Sequence, residues 1–130
     1  MKEIIVGSKC TCEWIVTEER LAVNVESGDL RVLATPVMAA LMEKAAAQCL
    51  GEFLDEGETS VGTALDIAHT SATPIGMKFE ATATITSYDG RKVDFEVSAN
   101  DEAGEIGKGT HSRFVVNAEK FQTKTNSKKA

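Results

Sequence analysis

The chain has 130 residues, which is the length of one ordinary domain and too short for two independent hydrophobic cores. Hydrophobic residues make up 42% of it and charged residues 26%, proportions that argue against a disordered protein or a membrane protein. The formal net charge is −6 although residues 120–130 carry four lysines and no acid, so the rest of the chain is strongly acidic. We therefore predict that nucleic acid is not a partner.

Neither the N-terminus nor the cysteines suggest an extracellular protein. The apolar cluster at residues 4–6 is followed at once by polar residues and is too short for a secretory segment, which predicts a cytoplasmic location. Cysteines at positions 10, 12 and 49 suit neither a disulfide framework nor a zinc site built from CxxC pairs. We expect reduced thiols and no metal, and the absence of a long apolar run predicts no membrane partner.

The first half of the chain predicts one strand and one helix. Residues 10–16 alternate polar and apolar groups as a half-buried strand does, and the polar stretch 17–31 that follows is predicted to be a loop. Thr35 is a good N-cap and Pro36 suits the first helical position. Residues 37–54 contain one glycine and no proline, so the helix is predicted to continue through them.

From residue 60 onward, β-branched and apolar residues alternate with small polar ones, and turn signals interrupt the pattern. The last three of four predicted strands are joined by tight hairpins into an antiparallel meander. The four strands are placed near residues 60–70, 77–88, 91–99 and 105–117.

These elements predict an α+β hotdog fold, in which one long central helix is wrapped by an antiparallel sheet of about five strands. Residues 1–119 are assigned to this domain, and residues 120–130 are predicted to be a basic, flexible tail. A domain of this kind leaves a sheet edge open, so we expect a homodimer.

Glu43 is a carboxylate on an otherwise apolar face of the predicted helix. Lys44 points about 100° away, toward the polar side of the helix. A carboxylate among apolar groups loses hydration and suits general acid or base chemistry, although a structural pair or a side chain turned to solvent would also explain it. Its neighbours on the helix face are Pro36, Ala39, Ala40, Ala46, Ala47 and Leu50.

His69 lies on one face of the second predicted strand, and simple alternation puts Gly62 on the other face. If the face of His69 packs on the helix, His69 and Glu43 enter one layer and could hydrogen-bond to each other. A satisfied core histidine is the alternative. Thr35 could cap the helix or face a substrate, and helical rise places it about 12 Å from Glu43, too far for a direct hydrogen bond.

The last predicted strand combines two glycines with two basic residues on one face. The glycines leave room for a close approach, so the face could hold an acyl or phosphate group. An ion pair of Arg113 with Asp94 or Glu96, beside a surface histidine, is the alternative. The residues on this face are Gly107, Gly109, His111 and Arg113.

The chain resembles the fluoroacetyl-CoA thioesterase family of hotdog enzymes across most of residues 33–121. The resemblance implies a homodimer that hydrolyses short acyl-CoA esters with a Thr, a Glu and a His, here Thr35, Glu43 and His69. It further implies that Gly62 and Arg113 line the substrate site and that no cofactor is needed besides the CoA of the substrate. The segments that carry it are TPVMAALMEKAA, VGTALDIAHTSATPIG, and GEIGKGTHSRFVV followed by EKF.

The resemblance fades in residues 17–32, where the specialised fluoroacetyl enzyme carries phenylalanines in a lid and this chain has no aromatic residue. We therefore expect hydrolysis of a short-chain acyl-CoA to the free acid and CoA, without specialisation for fluoroacetyl-CoA. A non-catalytic module that binds acyl-CoA or another small ligand is the alternative, and an enoyl-thioester hydratase ranks third. Whether Glu43 acts as base or nucleophile, and whether Thr35 attacks or orients, stays open.

Overall fold

A computed structural model describes residues 1–129 of the chain. The described residues contain five strands and three α-helices, with short 3-10 turns at Glu18–Arg20 and Ser127–Lys129. The strands are β1 (Lys9–Ile15), β2 (Glu58–His69), β3 (Lys78–Asp89), β4 (Lys92–Asp101) and β5 (Gly104–Asn117). The helices are α1 (Ala22–Val25), α2 (Thr35–Gly51) and α3 (Ala118–Asn126). Within residues 1–129 we find no helix that is both long and apolar enough to cross a membrane.

All five strands form one antiparallel sheet in the order β1-β3-β4-β5-β2. The meander of β3, β4 and β5 is the one predicted from the turn signals, and Gly90 takes a φ of 60° in its first turn. A positive φ costs glycine little because it has no Cβ, which is why the turn falls there. The predicted arrangement of one long helix on an antiparallel sheet of five strands is confirmed.

The core lies between α2 and one face of the sheet. Alternate residues of β3 from Phe79 to Ile85 and of β4 from Val93 to Ala99 are buried there, as the pleat of a strand requires. Alanines in the middle of β3 let the helix approach the sheet closely. The buried side of α2 consists of Met38, Leu41, Met42, Ala45, Ala46, Cys49 and Leu50, and it faces Phe79, Ala81, Ala83, Ile85, Val93, Phe95, Val97 and Ala99.

Two local predictions around α2 need correction. Helix α2 ends at Gly51 instead of residue 54, because acidic side chains follow and acidic groups are unfavourable at the negative end of a helix dipole. The predicted loop at residues 17–31 contains α1 and a 3-10 turn, with Leu21 fully buried.

The tail is helical where a flexible end was predicted. Asn117 caps α3, since its side-chain oxygen accepts a hydrogen bond from the backbone N–H of Lys120 at 2.9 Å. No residue of α3 is buried, so this helix lacks the packed apolar face that usually stabilises a helix. The division of the chain after residue 119 stays a prediction.

Candidate active site

A β-bulge in β2 determines which of its residues face α2. The pairing of β2 with β5 shifts register between Gly62 and Ala64, so that Gly62 lies opposite Arg113 and His69 lies opposite Gly107. Directly opposed residues share a face of the sheet, and both pairs face α2. Simple alternation had put Gly62 and His69 on opposite faces. That prediction is wrong because one extra residue in a strand inverts the faces beyond it.

Glu43 finds its partner in Arg113 of β5. Oε2 of Glu43 lies 3.6 Å from Nη1 of Arg113, and the Glu43 side chain is 43% exposed while that of Arg113 is 9% exposed. The alternative pair of Arg113 with Asp94 or Glu96 is not formed, because Val93 is the residue of β4 that opposes Arg113. The carboxylate is therefore partly open to solvent, with a buried cation behind it.

Gly62 allows this close arrangement. A Cβ at position 62 would lie 2.7 Å from Oε2 of Glu43, 3.2 Å from Cε1 of His111 and 3.5 Å from Nη1 of Arg113. A side chain here would push the carboxylate away from this position, so glycine lets Glu43 lie directly against β2. The structure thus brings together Glu43, Gly62 and Arg113, three of the five predicted site residues, and adds His111 to them.

The guanidinium of Arg113 is anchored on several sides. Its Nε donates a hydrogen bond to Oγ of Ser60 at 2.8 Å, and its Nη2 donates to the backbone oxygen of Ser60 at 3.0 Å. Burial lowers the pKa of Arg113, and the nearby negative charge of Glu43 acts in the opposite direction. Ser60 was not among the predicted site residues, since a serine at the start of a strand carries no signal of its own.

Thr35 and His69 form a second cluster at the first turn of α2. Oγ1 of Thr35 lies 2.7 Å from Nδ1 of His69, at hydrogen-bond distance. Thr35 was predicted as the N-cap, but that position belongs to Ala34 and no side chain caps the helix. The threonine hydroxyl is therefore available to the imidazole.

The imidazole of His69 is only half satisfied. Its Nε2 is buried and has no hydrogen-bond partner among residues 1–129. Burial lowers the pKa of His69, and the Ser71 backbone opposes this effect to a smaller extent. A mostly neutral imidazole can accept a proton at one nitrogen and donate from the other, which is the chemistry of a general acid or base.

The two clusters are separate within one chain. Thr35 and Glu43 make no hydrogen bond in the described part of the chain, in agreement with the helical rise between them. The expected bond between His69 and Glu43 is also missing there, and this expectation is wrong for a single chain. The reason is that β2 runs alongside α2, so its Gly62 end lies beside Glu43 while its His69 end lies beside Thr35.

A cavity of about 260 Å³ opens beside Thr35 and His69. Residues of the segment before α2 supply one wall, and none of them is aromatic. The remaining lining residues are Ala22, Ser27, Val32, Leu33, Thr70, Ser71 and Ala72. Within residues 1–129, no group of three His, Cys, Asp or Glu side chains could hold a metal ion.

Comparison with known proteins identifies the family. The family model described as fluoroacetyl-CoA-specific thioesterase matches residues 16–119. The fluoroacetyl-CoA thioesterase of Streptantibioticus cattleyicolor is 38% identical over 129 residues, which cover 95% of this chain and 93% of that protein. A solved structure of the fluoroacetyl-CoA thioesterase FlK is 35% identical and superposes with a TM-score of 0.92 over 98% of both chains.

More distant structures share the fold. A hypothetical protein of Thermus thermophilus described as a thioesterase superfamily member is 28% identical, with a TM-score of 0.91 over 99% of this chain and 96% of its own. A hot-dog-like protein from Thermanaerovibrio acidaminovorans has a TM-score of 0.84 at 21% identity, over 95% and 91% of the two chains. The hotdog fold is thus confirmed, and the chain is a thioester hydrolase that belongs to the fluoroacetyl-CoA-specific thioesterase family.

Proposed function

We propose that the chain hydrolyses a short-chain acyl-CoA thioester to the free acid and CoA. The observation that supports this most directly is the 2.7 Å contact between Oγ1 of Thr35 and Nδ1 of His69 beside a cavity at the start of α2. The positive dipole end of a 17-residue helix favours an oxyanion at this point. A thioester carbonyl bound here would develop its negative charge where the protein best stabilises it.

The proposed enzyme is a homodimer in which β2 pairs with β2 of a second copy. β2 is an edge strand of the sheet, and Leu65 on it is 37% exposed. Beside this strand, α2 exposes Pro36 and Ala40, two uncharged residues in its first two turns. A second copy related by a two-fold axis would cover both the strand edge and this helix face.

Dimerisation of this kind would join the two clusters. In an antiparallel pair of β2 strands, the His69 end of one strand lies beside the Gly62 end of the other. Thr35 and His69 of one copy would then face Glu43 of the second copy.

Glu43 can then act in two ways. As a base, it takes a proton from water while the water attacks the thioester carbonyl, and the tetrahedral intermediate then expels the CoA thiolate. The proton held by Glu43 passes to the thiolate through His69, which gives up one proton as it takes up another. As a nucleophile, it attacks the carbonyl and expels the thiolate, and water opens the resulting mixed anhydride. Thr35 orients the carbonyl in both cases. If its hydroxyl attacks instead, the thiolate leaves and water then hydrolyses the ester formed on Thr35. CoA belongs to the substrate, and the scheme uses no other cofactor.

We propose that the enzyme is not specialised for fluoroacetyl-CoA. Ala22 and Ser27, the residues that the segment 17–31 contributes to the cavity wall, are small. No aromatic ring is available in that segment to close over a small fluorinated group. A cytoplasmic location stays a prediction.

A thiol-release assay tests the proposal. Acetyl-, fluoroacetyl-, propionyl-, butyryl- and hexanoyl-CoA are tested as substrates of the wild type and of Glu43→Gln and His69→Ala. Glu52→Gln, at the exposed residue that follows α2, is the control. We expect both site variants to lose most activity and the control to retain it. Full activity of Glu43→Gln would refute the mechanism. Thermal stabilisation by acyl-CoA without thiol release would indicate a binding module, and a hydrated product would indicate a hydratase.

A further inference from the structure

We infer that His111 is a positioning residue that holds the guanidinium of Arg113 against Glu43, and that it does so as a neutral imidazole protonated on Nδ1. The inference rests on the proposed function, because it assigns His111 a place in the same site. Neither the sequence pattern nor the family resemblance gave His111 this role. From the sequence, His111 is predicted either as part of a binding face or as a surface residue.

The hydrogen bonds of His111 assign its tautomer. Nδ1 lies 2.7 Å from the backbone oxygen of Ala64, and a carbonyl oxygen can only accept, so Nδ1 carries a proton. Nε2 lies 3.3 Å from Nη1 of Arg113, which can only donate. The Nε2 lone pair is thus the acceptor for the guanidinium, and the ring has no position left for a second proton.

The surroundings keep the ring neutral. His111 is 2% exposed and is stacked on Phe95 of β4, with the ring centroids 6.0 Å apart. Burial lowers the pKa of His111 most, and the positive charge of Arg113 lowers it further. The Ala64 carbonyl and the charge of Glu43 on α2 act in the opposite direction. A second proton would set Nε2–H against the guanidinium and place two like charges side by side in a buried site.

His111 acts on the nitrogen of Arg113 that matters for Glu43. Ser60 accepts from Nε and Nη2, which leaves Nη1 without a partner on β2. Nη1 is bound by His111 and is also the atom 3.6 Å from Oε2 of Glu43. The chain of contacts from Ala64 through His111 and Arg113 to Glu43 therefore limits the positions that the carboxylate can take.

Kinetics of two variants separate positioning from packing. His111→Phe keeps a ring on Phe95 but removes both hydrogen bonds, whereas His111→Gln can still present an acceptor to Nη1. We expect kcat to fall about tenfold or more in His111→Phe with KM little changed, and His111→Gln to recover much of the loss. Phe95→Leu is the control for packing, and it should lower stability without a comparable fall in kcat.

A double-mutant cycle provides the sharper test. If His111 acts through Arg113, the His111→Phe substitution has little further effect on kcat once Arg113 is alanine. Equal losses in the presence and absence of Arg113, or equal kcat losses in Phe95→Leu and His111→Phe, would overturn the inference.

The tautomer can be observed independently of activity. Two-bond ¹H–¹⁵N correlation spectra of the wild type at pH 7 should show His111 protonated on Nδ1 alone. A doubly protonated ring, or a proton on Nε2, would overturn the inference. If the wild type hydrolyses none of the acyl-CoA esters, the proposed function fails while this measurement still decides on the tautomer and its contact with Arg113.

Discussion

Replacing Gly62 by alanine tests whether the position of the Glu43 carboxylate controls the rate. The added Cβ would lie 2.7 Å from Oε2 of Glu43, and ordinary contact begins at 3.4 Å, so the oxygen must move by about 0.7 Å. Glu43 can yield because its side chain is 43% exposed, whereas His111 is buried at 3.2 Å and has little room. We expect a folded protein whose kcat falls about tenfold to a hundredfold, since displacement by about 1 Å costs that much in a positioned site.

The assay is thiol release with the best acyl-CoA of the panel, together with a thermal melt. Gly51→Ala is the matched control, because a Cβ there meets nothing within 4 Å and no positive φ disfavours it. The control should keep its kcat, and its melting temperature should stay the same or rise, because alanine is the better helix former. A Gly62→Ala protein with wild-type kcat would show that Glu43 tolerates displacement, and the geometric reasoning would then be wrong.

Three further predictions follow from other parts of the structure. Thr35→Val should lower kcat at least about tenfold, because it removes the hydroxyl that contacts His69, whereas Thr35→Ser should stay active. The unfolding free energies of both variants should lie within about 0.5 kcal/mol of the wild-type value, since Thr35 does not cap α2. Burial lowers the pKa of His69 and of His111 below the ordinary 6.5. Below about pH 6.5 the unfolded chain therefore binds more protons than the folded chain, and urea melts should show that the free energy of unfolding falls as the pH decreases. Burial raises the pKa of the Cys49 thiol to about 12, so iodoacetamide at pH 8 should alkylate it only in denaturant, as peptide mass spectrometry can measure.

Local periodicity was enough to predict most of the fold. The turns at Gly90 and Gly104, and the alternation in β3 and β4, are properties of short segments and survive in the structure. The bulge in β2 could not be predicted in this way. The sequence of the strand itself does not indicate an extra residue, which becomes visible only in the register of β2 with β5. Its effect is large, since it puts Gly62 and His69 on one face.

The candidate site divides in the same way. Helix periodicity identified Glu43 as a carboxylate without a local partner, but the partner, Arg113, comes from a strand far along the chain and could only be found in three dimensions. Thr35 looked like a cap because threonine is a common N-cap. Its hydroxyl instead lies on His69, a contact that depends on where β2 ends relative to α2.

The separation of the two clusters makes the proposed dimer testable through mixed chains. If each site combines Thr35 and His69 of one copy with Glu43 of the other, then Glu43→Gln and His69→Ala homodimers each lack one half of both sites. A heterodimer of the two variants would have one intact site and one site that lacks both groups. The same substitutions within single-chain sites would leave every site in the mixture damaged.

Equimolar mixing with exchange of subunits should therefore restore activity from two inactive proteins. Random exchange makes about half of the dimers heterodimers, each with one of two sites intact, so about a quarter of the wild-type rate is expected. Native mass spectrometry measures the heterodimer fraction, and thiol release should rise in proportion to it. Heterodimers that form without any gain in rate would contradict the shared site.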